Sequence, residues 1–126
     1  DGDGEQYRPF LSLNDVTNVY KFILYKDKKL GSFICNLVSF NLKIKTLAQK
    51  ILKIINNKNT RIIFNPQNKD KRNYIVGSKN FDKIFGKNFK FSSFKTEVKY
   101  LFKQMKANKI KLNSSTIRMK YYKKIL

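Results

Sequence analysis

Apolar residues recur along this chain at two spacings, and each spacing predicts its own kind of element. Val16, Val19, Tyr20, Ile23 and Leu24 return every three or four positions, which is the period of one helix face. Ile44, Leu47, Ala48, Ile51, Leu52 and Ile55 do the same and end at the polar run Asn56-Asn-Lys-Asn59. Phe94, Val98, Leu101, Phe102 and Met105 predict another helix, started by Ser92 or Ser93. A shorter helix runs from a Ser78 cap through Phe85 and stops at Gly86. Between the helices the pattern is extended. Tyr7 to Leu13 alternates loosely and predicts a short strand, with Pro9 favouring an edge or a strand start. Asn14 is the expected N-cap of the first helix, with Asp15 suited to its positive end, and Asp27 to Gly31 closes it. Residues 32–38 and Thr60 to Phe64 predict two more strands, the second stopped by Asn65-Pro66. A polar loop from Gln67 to Asn73 leads to an extended piece at Tyr74 to Val76, and Phe89 to Phe91 is extended again. The order is β-α-β-α-β-α-(β)-α, a mixed α/β unit. From Lys109 onward the tail is basic with scattered apolar residues, and no element is assigned to it.

Size and composition narrow the class. At 126 residues the chain is expected to be one domain, and its 41% hydrophobic content supports a core. No stretch approaches the roughly 20 apolar residues that span a bilayer. The acidic, glycine-rich start lacks the basic and apolar regions of a secretory signal. These features point to a cytoplasmic protein with no membrane partner. Cys35 is the only cysteine, so an internal disulfide is excluded; its apolar surroundings predict a buried, inert thiol. With no His, Ser–His and Cys–His nucleophile systems are excluded, and with one Cys and no His a zinc site is not expected. The net charge of +20 admits a nucleic-acid partner. Yet only four of the 28 basic residues are Arg, the side chain best matched to phosphate and base edges. Lys accompanies abundant Asn, Ile, Phe and Tyr along the whole chain, which reads as a general compositional bias.

Four segments, in order, carry a resemblance. Gly2-Asp-Gly-Glu-Gln-Tyr-Arg-Pro-Phe-Leu-Ser-Leu-Asn-Asp-Val16 is similar to a "GDGxQxRPFxxVxDV" segment. Gly31-Ser-Phe-Ile-Cys-Asn-Leu37 resembles a "GxxYNV" strand, and Thr46-Leu-Ala-Gln-Lys-Ile51 resembles an "ELAxxI" helix. Asp70-Lys-Arg-Asn-Tyr-Ile-Val76, with Ser78-Lys79 and Ile84-Phe-Gly86, resembles "DxRxYxVxxxKxxxxLG", one residue short before the Lys. Together they resemble the C-terminal, substrate-binding part of the extended short-chain dehydrogenases/reductases, the NAD-dependent nucleotide-sugar epimerases and dehydratases. Residues 1–106 fall within the resemblance and the basic tail, 107–126, outside it.

The resemblance implies an α/β fold that lacks most of the Rossmann domain, a nucleotide-sugar ligand, and NAD(P) as cofactor of the complete enzymes. No cofactor-binding residue is identified in this chain. Gly2 and Gly4 follow no strand and read as a turn, whereas a dinucleotide loop joins a strand to a helix. Tyr25 and Lys29 match the family's catalytic Tyr-x-x-x-Lys by spacing alone, at a helix end, and are set aside as chance. The chain therefore reads as a fragment, a split product or a remnant that is not catalytic alone. A separate Rossmann-domain chain or a homodimer is its expected protein partner. A remnant would also expose an apolar surface where that domain docked.

The substrate-binding candidates follow from this reading. Arg8 is set by the resemblance against the diphosphate, for which a guanidinium offers a bidentate, always-charged donor; the alternative is a surface Arg paired with Asp15 or Glu5. Arg72 completes a two-Arg clamp and Asp70 accepts from a ribose hydroxyl, or the two pair with each other and shape the loop. Tyr74 packs beside the nucleotide or in the core. Asn36 reaches the same cleft or satisfies a strand end. The rival reading is a small, basic, ribosome-associated nucleic-acid-binding protein, supported by the charge and the lysines from Lys109 to Lys124.

Overall fold

The computed structural model describes residues 2–25, 31–64, 72–86 and 89–110. Its elements run β1 (Tyr7–Phe10), α1 (Leu13–Tyr25), β2 (Phe40–Lys43), α2 (Ile44–Ile55), α3 (Lys79–Phe85) and α4 (Phe94–Lys106). The fold is thus a small mixed α/β unit with four helices and a two-stranded sheet among the described residues. Strands β1 and β2 are antiparallel, with Tyr7 opposite Lys43, Arg8 opposite Leu42, Pro9 opposite Asn41 and Phe10 opposite Phe40. The Phe10 and Phe40 rings stack across the pair at 5.7 Å.

The ends of α1, α2 and α3 are set by identifiable contacts. Ser12, not Asn14, caps α1: its Oγ accepts from the Asp15 N–H at 3.0 Å, and its carbonyl accepts from Val16 N–H. Asn14 instead donates to both Glu97 carboxylate oxygens at 3.0 and 3.1 Å, which ties α1 to α4. The start of α2 has no side-chain cap. Its first N–H groups go to the chain's own N-terminal segment: Ile44 N–H donates to Gln6 O and Lys45 N–H to Gly4 O. That close approach explains Gly4, whose φ is +72° and whose missing Cβ would lie 2.9 Å from Lys45 N. Helix α2 ends where Asn56 turns left-handed at φ 50°. At α3 the Ser78 hydroxyl bonds to the Asp82 carboxylate at 3.1 Å rather than to the backbone, and Gly86 closes the helix at φ 65°.

The extended segments correct the expected order. Residues 32–38 form no strand; the pairing partner of β1 lies just beyond them, at residues 40–43. Thr60 to Phe64 is likewise irregular. Tyr74 to Val76 makes no strand ladder, because Asn41 supplies its partners with a side chain. Asn41 Nδ2 donates to Val76 O, and Val76 N–H donates to Asn41 Oδ1, both at 3.0 Å. A side-chain amide presents the same donor and acceptor pair as a peptide unit, so it stands in for a neighbouring strand.

The core gathers around the junction of α1 and α3. Val19, Phe81 and Phe85 are buried, and Phe22, Cys35, Phe89 and Phe91 pack against them. Phe81 lies 4.4 Å from Phe85 and 5.4 Å from Phe89, measured between ring centroids. Such pairs add about 0.5–1.5 kcal/mol each beyond the area they bury. Cys35 is a free, half-buried thiol against this cluster. The outward side of α1 is also apolar: Leu13, Tyr20 and Leu24 are 84%, 64% and 77% exposed. No helix is long and apolar enough to cross a membrane among the described residues.

Candidate functional site

Three of the five expected site residues meet. Arg8 stands on β1, a short strand braced by β2. Its Nη1 donates to the carbonyl of Tyr7 at 2.6 Å and to the carbonyl of Arg72 at 2.7 Å. Its guanidinium lies over the Tyr74 ring, 4.9 Å from the centroid, within the reach of a cation–π contact. Next to it, Tyr7 N–H donates to Asn73 Oδ1 at 2.8 Å. The segment 72–76 is therefore fastened at three points: Asn73 to the Tyr7 backbone, Arg72 and Tyr74 to Arg8, and Val76 to Asn41. Tyr74 is half exposed and not a core residue. Asp70 lies outside the described residues.

Asn36 does not join the group. It donates to Gly77 O at 3.3 Å and lines a separate hollow of about 400 Å³ with Cys35, Lys79 and Asn80. The strand end that was to aim it at the cleft does not form.

The carboxylates proposed as alternative partners of Arg8 are engaged elsewhere. Glu5 accepts from Lys43 at 2.8 Å and from Lys45 at 3.2 Å. The Lys43 hydrogen bond first, then that of Lys45, holds the Glu5 carboxyl below its ordinary range, and the same contact holds the Lys43 ammonium above its own. Asp15 is buried, with 1% of its surface exposed. Its Oδ1 accepts from Ser92 N–H at 2.7 Å and its Oδ2 from the Ser39 hydroxyl at 3.1 Å. Burial pushes this carboxyl up, but hydrogen bonding with Ser92, and then with the Ser12 and Ser39 hydroxyls, outweighs it. The net position is below the ordinary Asp value. Asp15 thus knots α1, the approach to β2 and the approach to α4, and it is structural.

Among the described residues the group offers charged donors and an aromatic face. The Arg8 guanidinium, the Arg72 backbone and the Tyr74 ring converge beside β1, and a guanidinium next to an aromatic face is suited to an anion attached to a flat or apolar group. No cluster of His, Cys, Asp or Glu fit for a metal occurs among the described residues. The glycine turn, with Gly2 at φ 94° and Gly4 at φ 72°, leads into β1 and packs on α2. A dinucleotide loop needs the opposite arrangement, leaving a strand and opening a helix, so these residues do not fit NAD. Tyr25 is the last residue of α1, and Lys29 lies outside the described residues.

Asn41, Asn73 and Lys43 were not foreseen in the sequence. Asn41 carried a usable signal, a lone amide between Phe40 and Leu42 in an apolar run. No family model matches the chain, and no curated protein or solved structure matches it either.

Proposed function

We propose that this chain is the nucleotide-sugar-binding C-terminal part of an NAD-dependent epimerase or dehydratase. The reading rests on the four ordered sequence segments and on one observation above all. Arg8 and Arg72, 64 positions apart, come together with a hydrogen bond of 2.7 Å. In this reading the two guanidinium groups take the diphosphate, whose paired negative oxygens match planar charged donors. Tyr74 flanks the nucleotide, and Asp70 accepts from its ribose. Asn36 leaves the ligand set and acts on Gly77. The exposed stripe of Leu13, Tyr20 and Leu24 is the surface that receives the nucleotide-binding half, as a separate chain or domain. Catalysis and NAD(P) belong to that half, and the chain alone does not turn over substrate.

The test is a thermal-shift titration with UDP-, dTDP- and GDP-sugars. Arg72→Ala is the more informative variant, because Arg8 bonds to the backbone of Arg72 and that contact survives the substitution. One nucleotide-sugar should raise the midpoint of the unaltered chain. Loss of a charge-assisted contact worth about 1.5–3 kcal/mol should weaken binding roughly 10- to 100-fold in Arg72→Ala. No shift with any nucleotide-sugar, or an equal shift in both proteins, overturns the reading.

A further inference from the structure

Helix α4 carries a second charged surface, separate from the Arg8 group. Lys95, Lys99 and Lys103 stand four residues apart, and Lys106 lies on the same flank, so the four ammonium groups line one side of the helix. All four are exposed. Lys106 sits over the Phe102 ring at 4.8 Å. Among the described residues, no carboxylate pairs with Lys95, Lys99 or Lys103. The one acidic residue of α4, Glu97, is turned away and bonded to Asn14. Like charges four residues apart destabilise a helix. Lys103 and Lys106 suit the negative C-terminal end of α4, but Lys95 and Lys99 stand too early for that compensation. Tyr100 borders the ridge with half its surface exposed.

We propose that this ridge binds the phosphate backbone of single-stranded RNA. Lysines one helical turn apart are about 6 Å apart along the axis, and the whole row spans about 16 Å. The row is long enough for several phosphates of one strand to lie along it, as in the charged grooves that track a single-stranded backbone. Point charges on flexible stems neutralise phosphates without reading base edges, so the binding is independent of sequence. Tyr100 offers a ring on which a base can stack, a contact that a duplex does not make available.

The experiment measures binding of labelled oligouridylate by fluorescence anisotropy over a series of salt concentrations, using the full chain. Two charge-matched variants are compared. One replaces the ridge, Lys95→Gln with Lys99→Gln and Lys103→Gln; the other replaces exposed lysines elsewhere, Lys21→Gln with Lys50→Gln and Lys90→Gln. The ridge variant should bind more than tenfold more weakly at low salt, and its slope of log K against log[salt] should shrink by about two. The other variant should keep most of the affinity, and Tyr100→Ala should weaken binding without changing the slope. Equal losses in the two triple variants would make the attraction one of net charge and overturn the proposal. So would an absence of binding by the unaltered chain, or binding only to duplex RNA or to anionic phosphatidylserine vesicles.

Discussion

The α1–α3 junction and the β1–β2 pair hold this molecule together by opposite means. At the junction, Phe81, Phe85, Phe89 and Phe22 pack ring against ring around Val19. At the strand pair, half-buried side chains are held by a guanidinium and two asparagine amides. Apolar burial is non-directional and scales with area, at about 25 cal/mol per Å². A polar bond adds only about 0.5–1.5 kcal/mol net, but it dictates geometry within a few tenths of an ångström. The stability of the chain therefore resides mainly in the aromatic junction. The position of segment 72–76, and with it the candidate site, resides in the amides and Arg8.

Substitutions that separate these two roles test the comparison, and the largest effect belongs to the junction. Phe81→Ala should cost about 3–5 kcal/mol in urea unfolding, because it opens a cavity in the most buried part of the core. A loss under 1 kcal/mol would show that the rings do not bear the stability assigned to them.

Asp15→Asn comes next, at about 1–3 kcal/mol, since a buried acceptor of two hydrogen bonds is altered. Its pH dependence sharpens the point. The folded carboxyl is held below its ordinary value of about 3.9. Its contribution is therefore complete above that value and is lost as pH falls through the lower folded-state value. Unfolding curves between pH 6 and pH 2 should show this acid-side loss in the unaltered chain and a flatter profile in Asp15→Asn. Parallel profiles would remove Asp15 as the cause.

The smallest effect on stability belongs to Asn41→Ala, at about 1 kcal/mol. Its effect on position should be larger. The Val76 amide, now bonded to Asn41 Oδ1, should exchange hydrogen much faster while the amides of α2 keep their protection. Unchanged exchange at Val76 would mean that another contact positions this segment.

The helices were largely legible because their causes are local. The spacing of Ile44 to Ile55 marked α2 over the same residues that form it, and Gly86 ended α3 as expected. The missed details were choices between near neighbours. Ser12 and Asn14 are both good cap types, but Ser12 takes the Asp15 N–H while Asn14 lies inside α1 and bonds to Glu97 on α4. Residues 32–38 have a stronger strand pattern than residues 40–43, yet the latter pair with β1, and the apolar residue Leu37 joins the aromatic core instead. The site was half legible. Arg8, Arg72 and Tyr74 come together although they lie far apart in the chain, whereas Asn36 sits apart from them and donates to Gly77 O, in line with the alternative of a satisfied amide.

By itself the sequence determined what depends on a few neighbouring residues: four helices, a glycine turn at the start, one strand beginning at Tyr7, and an excess of lysine with no histidine. Tertiary structure alone decided which strand pairs with β1, which phenylalanines meet, and what replaces a strand ladder at Val76. Most of those outcomes depend on contacts between residues distant along the chain, such as Phe10 with Phe40, Phe22 with Phe85, Asn41 with Val76 and Asp15 with Ser92. A periodic pattern states which face of an element is apolar. It does not state which other face will cover it, because that depends on how all the elements close around one core.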